Sequence, residues 1–150
     1  MAGIFYFCIK GTMILVLHTD TPMMAIVSNS MKHMDNSWMS FIHNHYGVDF
    51  STIDNFPVKG GFERGDLIVV KGVSSPEEIK LGDVIVYNSE DSKIPIVHRV
   101  VQIENLDGEI FFTTKGDNPR ILATEEVSFD NVIGKVVFVI PKLGYLSLLV

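Results

Sequence analysis

Gly82-Asp83-Val84-Ile85-Val86-Tyr87, followed by Pro95-Ile96-Val97-His98-Arg99-Val100-Val101-Gln102-Ile103, decides the fold class. Each run is short, β-branched and opened by a turn residue, which is the pattern of a strand and not of a helix. Working outward, the same pattern recurs. Leu67-Ile68-Val69-Val70 follows Gly65-Asp66, Met23 to Ser28 follows Pro22, and Ile110 to Thr114 and Val132 to Ile140 complete the set. Gly, Pro, Asn and Asp separate the runs, as in an all-β sandwich or barrel. No helical pattern alternates with the strands, which argues against a parallel α/β sheet. One segment differs. Between residues 32 and 61, Trp38, Phe41, Ile42 and Tyr46 fall at helical spacing, so an amphipathic helix is expected there with Asp35 or Asn36 as its N-cap. The division expected is an apolar helix over 1–20, then a β-rich domain over 21–150 with an insertion at about 32–61.

Composition narrows the function. The chain has 150 residues, 47% hydrophobic and 20% charged, enough for one globular domain with a substantial core. A formal net charge of -6, with Lys and Arg scattered, argues against nucleic-acid binding. Cys8 is the single cysteine, so no internal disulfide forms; in its apolar stretch it reads as a small hydrophobe. Ala2 to Leu17 is mostly apolar but short of the ~20 residues that cross a bilayer, and it has no basic region ahead of it. The preferred expectation is the lower half of a membrane anchor that begins upstream of this chain; the alternative is an amphipathic or buried helix. Leu143 to Val150 reads as a last strand or the start of a second hydrophobic segment.

Three places carry groups fit for chemistry. Ser28-Asn29-Ser30-Met31 ends an apolar strand and supplies two hydroxyls. A serine attacks only when a base takes its proton and donors meet the oxyanion that develops. Ser30 as nucleophile, with the Ser28 hydroxyl and the Ser30 backbone N–H as donors, meets the second need. The alternative is a solvated turn. His98 lies among β-branched residues; it is either a hydrogen-bonded core histidine or a general base. Thr114-Lys115-Gly116-Asp117-Asn118-Pro119 is either a turn or the source of a carboxylate that orients the histidine. His33, His43 and His45 lack the cysteine or paired carboxylates of a metal set, so no metal and no cofactor are expected.

Taken in order, these stretches resemble the type I signal peptidases, in particular the archaeal and endoplasmic-reticulum branch. The match runs through Thr21–Met31, Arg64–Val70, Gly82–Tyr87, Ile96–Val101, Thr114–Asn118 and Ile133–Val136. The resemblance implies a complex antiparallel, barrel-like β domain of signal-peptidase type, behind an N-terminal anchor-like helix. It implies a membrane-bound serine endopeptidase that removes signal peptides from exported pre-proteins after small residues. By the family pattern Ser30 is the nucleophile, His98 the base, Asp117 the acidic member, and Ser28 helps form the oxyanion hole. A histidine at 98, where bacterial relatives carry lysine, selects the branch. The partners implied are signal peptides, membrane lipid and the secretion machinery. The active site is expected on the outer face of the cytoplasmic membrane, or the luminal face of an endoplasmic-reticulum-type one.

Three departures bear on this. His33 stands where the family usually has proline, about thirty residues separate Met31 from Arg64, and Ala123 occupies the place of a second aspartate. Asp117 is therefore the expected acid, with Glu125 or Glu126 as substitutes. An extended peptide is expected to add to backbone at Met23–Val27 and Pro95–Val97, with Met24, Ile26 and Pro95 at its side chains. Trp38, Phe41 and Tyr46 either lie at a membrane surface or cover one end of the β core. The rival functions are a self-cleaving Ser-Lys protease using Lys93 or Lys115, and a non-catalytic β domain that binds exported chains or scaffolds a membrane complex. A histidine base predicts that activity falls toward acid between about pH 5 and 8.

Overall fold

Alternation along β3 (Val84–Tyr87) sets the architecture: all four residues are buried, but on two different faces. Val84 and Val86 enter one core with Ile26, Met31, Phe62, Ile68, Val70, Val97 and Val136. Ile85 and Tyr87 enter another with Ile79, Val100, Phe112 and Val127. A strand covered on both sides reads as a continuous apolar run, while the period of two divides its side chains between faces. The structure, a computed structural model, describes residues 2–148. Met1, Leu149 and Val150, which belong to the terminal apolar segments of the sequence reading, lie outside the described residues.

The sheet has seven strands in the order β1-β2-β7-β3-β4-β5-β6. The others are β1 (Met23–Ala25), β2 (Leu67–Lys71), β4 (Ile96–Leu106), β5 (Glu109–Lys115), β6 (Thr124–Ser128) and β7 (Val132–Ile140). Every pairing is antiparallel. The sheet is thus mainly antiparallel β, as expected, with β1 and β6 at its two edges. The Gly-Asp turns work as the sequence suggests. Gly65 and Gly82 take φ of 91° and 89°, and each following aspartate closes its turn through the N–H three residues back, Glu63 to Asp66 and Lys80 to Asp83.

The helices are few. α1 (Ala2–Leu17) is the expected N-terminal helix, with Leu15 and Val16 exposed. Among the described residues no helix is long and apolar enough to cross a membrane, so the anchor reading stays an inference from sequence. α2 (Ser37–Tyr46) starts at Asn36, but the Asp35 carboxylate, not Asn36, accepts the Ser37 N–H at 2.8 Å. Short α3 (Phe50–Ile53) follows. The end of the chain forms a helical turn, α4 (Tyr145–Leu148), in place of the last strand considered from sequence. It packs near β1, which is three residues long.

The insertion covers the sheet. Trp38, Ile42, Ile53 and Phe56 are buried together with Val101, so the aromatics cap one end of the β core. What holds them there is Arg99, fully buried on β4. Its guanidinium sits over Trp38, 4.9 Å from the ring centroid, and 6.0 Å from that of Phe56. Nη1 donates to Pro57 O and Gly82 O, each at 2.8 Å; Nη2 donates to Val58 O at 3.1 Å and Asp117 Oδ2 at 2.7 Å; Nε donates to Asp117 Oδ1 at 2.9 Å. All five N–H donors of the guanidinium thus have acceptors.

Removing one partner of a buried, fully bonded charge pair costs about 3–5 kcal/mol. Arg99→Leu is expected to lower the thermal midpoint by roughly 10 °C, measured by calorimetry or circular dichroism. A midpoint within about 2 °C of the parent would contradict the role given to Arg99.

Candidate active site

The Ser28–Lys32 turn leaves β1 and is gripped from two sides. Met31 is buried in the core, Phe62 N–H donates to Met31 O at 3.1 Å, and Arg64 N–H donates to the Asn29 side chain at 3.0 Å. From the other side, Asn118 N–H donates to Ser30 O at 2.9 Å, and its side-chain amide donates to Asn29 O at 3.0 Å. Within the turn Ser28 Oγ lies 3.2 Å from Ser30 Oγ, and Ser30 N–H points to Ser28 Oγ at 3.5 Å. The two hydroxyls and the backbone donor therefore share one small volume.

His98 comes to the same place from β4. Gly116 shows how closely. A Cβ there would stand 2.6 Å from Ser30 O and 3.2 Å from His98 Nε2, so only a glycine lets the three segments meet. Ser30 and His98 both line a cleft of about 460 Å³. Ser28, Met24, Ile26 and Pro95, the sequence-chosen binding residues, line it too, with Val27, Phe62 and Ile94. The walls are mostly apolar, and Ile26 belongs also to the core beneath. Burial pushes the His98 imidazole down from 6.5 to about 4, with Lys115 adding to the effect and Glu125 and Asp117 opposing it. His98 is therefore neutral, and able to accept a proton, across the neutral range.

Asp117 is elsewhere. Its oxygens accept from Arg99 and from His33 Nε2, the latter at 2.7 Å. Burial raises the carboxyl, but Arg99 and His33 outweigh it and hold Asp117 below its usual 3.8. Asp117 thus bonds the residues around the Ser30 turn, and the hydrogen-bond partner facing His98 Nδ1 is the Tyr87 hydroxyl, at 3.4 Å. This departs from the sequence expectation that Asp117 meets the imidazole. The reason is the buried Arg99 guanidinium next to it, which takes both carboxylate oxygens. Behind Tyr87, its O–H donates to Glu125 Oε2 at 2.9 Å. Sequence reasoning had Glu125 among the substitute acids and missed Tyr87, which reads simply as a core aromatic at the end of an apolar run. Glu126, the other substitute, is exposed.

The remaining residues fall outside the cleft. Lys115 Nζ donates to Gly116 O at 2.7 Å under the Phe41 ring, and Lys93 is exposed on a loop; neither lines the cleft with Ser30. His33 stacks on Trp38 at 4.7 Å, while His43 and His45 each bond a backbone carbonyl. Among the described residues no group of three or more His, Cys, Asp and Glu is placed to hold a metal.

Comparison with known proteins places this geometry in context. No family model matches the chain. It is 37% identical over 95 residues to the signal peptidase complex catalytic subunit of Sclerotinia sclerotiorum, and 37% over 95 residues to that of Verticillium alfalfae. It is 33% identical over 97 residues to that of Scheffersomyces stipitis. These alignments cover 59% of this chain and 55–57% of the relatives, so the chain spans little over half the length of the proteins it matches. The resemblance to type I signal peptidases of the endoplasmic-reticulum type is thereby borne out.

The low His98 value has a consequence for pH. Between about 6.5 and 4 the unfolded chain binds a proton here that the folded chain does not, so this residue lowers stability as pH falls through that window. The Asp117 pair acts in the same direction but at lower pH: its contribution is intact above 3.8 and is lost only as pH falls below it, so that ion pair stays in place through the window in which His98 costs stability. In a nitrogen-15 NMR titration the His98 midpoint is expected near 4. A midpoint near 6.5 would show that water reaches the imidazole and that burial does not govern it.

Proposed function

We propose that this chain carries the catalytic machinery of a signal-peptidase-type serine endopeptidase. The observation that carries the reading is the meeting of Ser30 and His98 across Gly116 at the mouth of an apolar cleft. A binding module has no use for a buried neutral imidazole beside a serine pair. The similarity to signal peptidase complex catalytic subunits supports the substrate class.

In this reading the roles are as follows. Ser30 Oγ attacks the scissile carbonyl while His98 takes its proton. The Ser28 hydroxyl and Ser30 N–H receive the oxyanion. His98 then protonates the leaving amine, and water, activated by the same imidazole, releases the acyl group from Ser30. The pre-protein lies extended along β1, whose outer edge has no partner strand among the described residues, so its backbone continues the sheet. Met24, Ile26 and Pro95 then leave room for small side chains near the cut. Asp117 contributes through Arg99 and the 116–118 loop. In this reading α1 lies at the membrane, beside other members of a signal peptidase complex.

Wild-type protein in detergent is expected to cut a pre-protein at its signal-peptide junction, and Ser30→Ala and His98→Ala to lose about 10³-fold or more in kcat while staying folded. Gly116→Ala pushes the Ser30 turn from His98 and is expected to cost about 10²-fold. No cleavage by wild type on several pre-proteins, with the full native N-terminus present, would overturn the reading. So would full activity in either Ser30→Ala or His98→Ala.

A further inference from the structure

We infer that Tyr87 and Glu125 act together as positioning residues that fix the tautomer of His98. The inference rests on the peptidase reading for its effect on rate, but not for its geometry. Four strands contribute, on one face of the sheet. Tyr87 comes from β3, His98 from β4, Thr114 from β5 and Glu125 from β6; the register pairs Ile85 with His98, Val100 with Thr114, and Thr114 with Glu125. Tyr87 is fully buried and Thr114 is buried beside it.

Proton counting decides the arrangement. A phenol has one hydrogen to give. Here Tyr87 gives it to Glu125 Oε2 at 2.9 Å. Glu125 is in turn held by the Ser89 hydroxyl, which donates to Oε1 at 2.5 Å. Toward its other two neighbours the phenol oxygen can then only accept. Those neighbours are Thr114 Oγ1 at 2.9 Å and His98 Nδ1 at 3.4 Å. A neutral imidazole nitrogen that faces an acceptor must carry the hydrogen. His98 is therefore Nδ1–H, and its lone pair lies on Nε2, the nitrogen beside the Gly116–Ser30 contact. That is the tautomer a general base toward Ser30 requires. In the reverse tautomer Nε2 would be blocked by its own hydrogen.

Ala123 offers the imidazole no carboxylate, and the arrangement supplies a different orienting group. In place of an acid that touches the imidazole, a carboxylate one residue further away polarises a neutral phenol, and the phenol does the orienting. When His98 takes the serine proton, the imidazolium keeps Nδ1–H on the Tyr87 oxygen, and the negative charge on Glu125 lies behind it. No proton needs to leave Nδ1.

The test is the tautomer of His98 in folded protein, read at pH 7 from imidazole nitrogen-15 shifts, in wild type, Tyr87→Phe and Glu125→Ala. Wild type is expected to be predominantly Nδ1–H. Both variants are expected to gain Nε2–H, Glu125→Ala because the freed phenol hydrogen can turn to His98 Nδ1. Glu125 is only half-buried, so that variant stands if Tyr87→Phe fails to fold. Wild-type His98 in the Nε2–H form, or a tautomer unmoved in a folded variant, would overturn the inference. On a pre-protein substrate both variants are expected to lose on the order of 10²-fold in kcat with KM held. A wild type with Nδ1–H and no cleavage would leave this inference standing and remove the peptidase reading instead.

Discussion

A guanidinium taken out of water needs an acceptor for each of its five N–H groups, and most of this structure near the cleft is arranged by that need. Arg99 finds them on three separate pieces of chain: Pro57 and Val58 in the insertion, Gly82 before β3, and Asp117 after β5. Each acceptor fixes a segment. The insertion is drawn onto the sheet, where Trp38 closes over the charge. The Gly82 turn is set so that β3 enters with Val84 facing one core and Ile85 the other. The 116–118 loop is pinned by its carboxylate, which leaves Gly116 against His98 and Asn118 holding the Ser30 turn.

The geometry of the Ser30–His98 site is thus inherited from a structural ion pair. Ser30, the proposed nucleophile, does not sit on a rigid strand. It sits in a turn, and turns move unless their backbone groups are satisfied. Ser30 O is satisfied by Asn118, Asn29 by Asn118 and Arg64, and Met31 by Phe62 and the core. Two independent grips, one from the insertion side and one from the Asp117 loop, are what keep Ser30 near the imidazole.

The strands were legible in the sequence because their cause is local. β3 and β7 fall where the β-branched runs lie, and α2 where the aromatic spacing placed it. β6 (Thr124–Ser128) was not legible: Thr-Glu-Glu-Val-Ser has little strand signal, and only pairing with β5 makes it a strand. The Ser30, His98 and Ser28 choices came from ordered motifs and meet in one cleft. The acid was the weak point. Asp117 reads as a triad partner in sequence, yet a fully buried arginine two strands' worth of chain away claims it, and no local pattern reveals that competition. Tyr87 was hidden for a different reason. Its ring belongs to the core, and the hydroxyl at its tip is the atom that offers the imidazole a hydrogen bond. Burial also moves the expected acid limit: an ordinary histidine would titrate within the neutral range, whereas His98 is pushed down to about 4.

The central claim is that Ser30 is a nucleophile served by His98 and the Ser28 donor. The most direct measurement is a crystal structure with a peptide boronic acid ending in alanine, which forms a tetrahedral adduct on a reactive serine. The account expects boron bonded to Ser30 Oγ, one boronate oxygen at Ser28 Oγ and the Ser30 N–H, and the peptide backbone along Met23–Val27. Boron bonded to another residue, or a boronate lying in the cleft without a bond to Ser30, would contradict it.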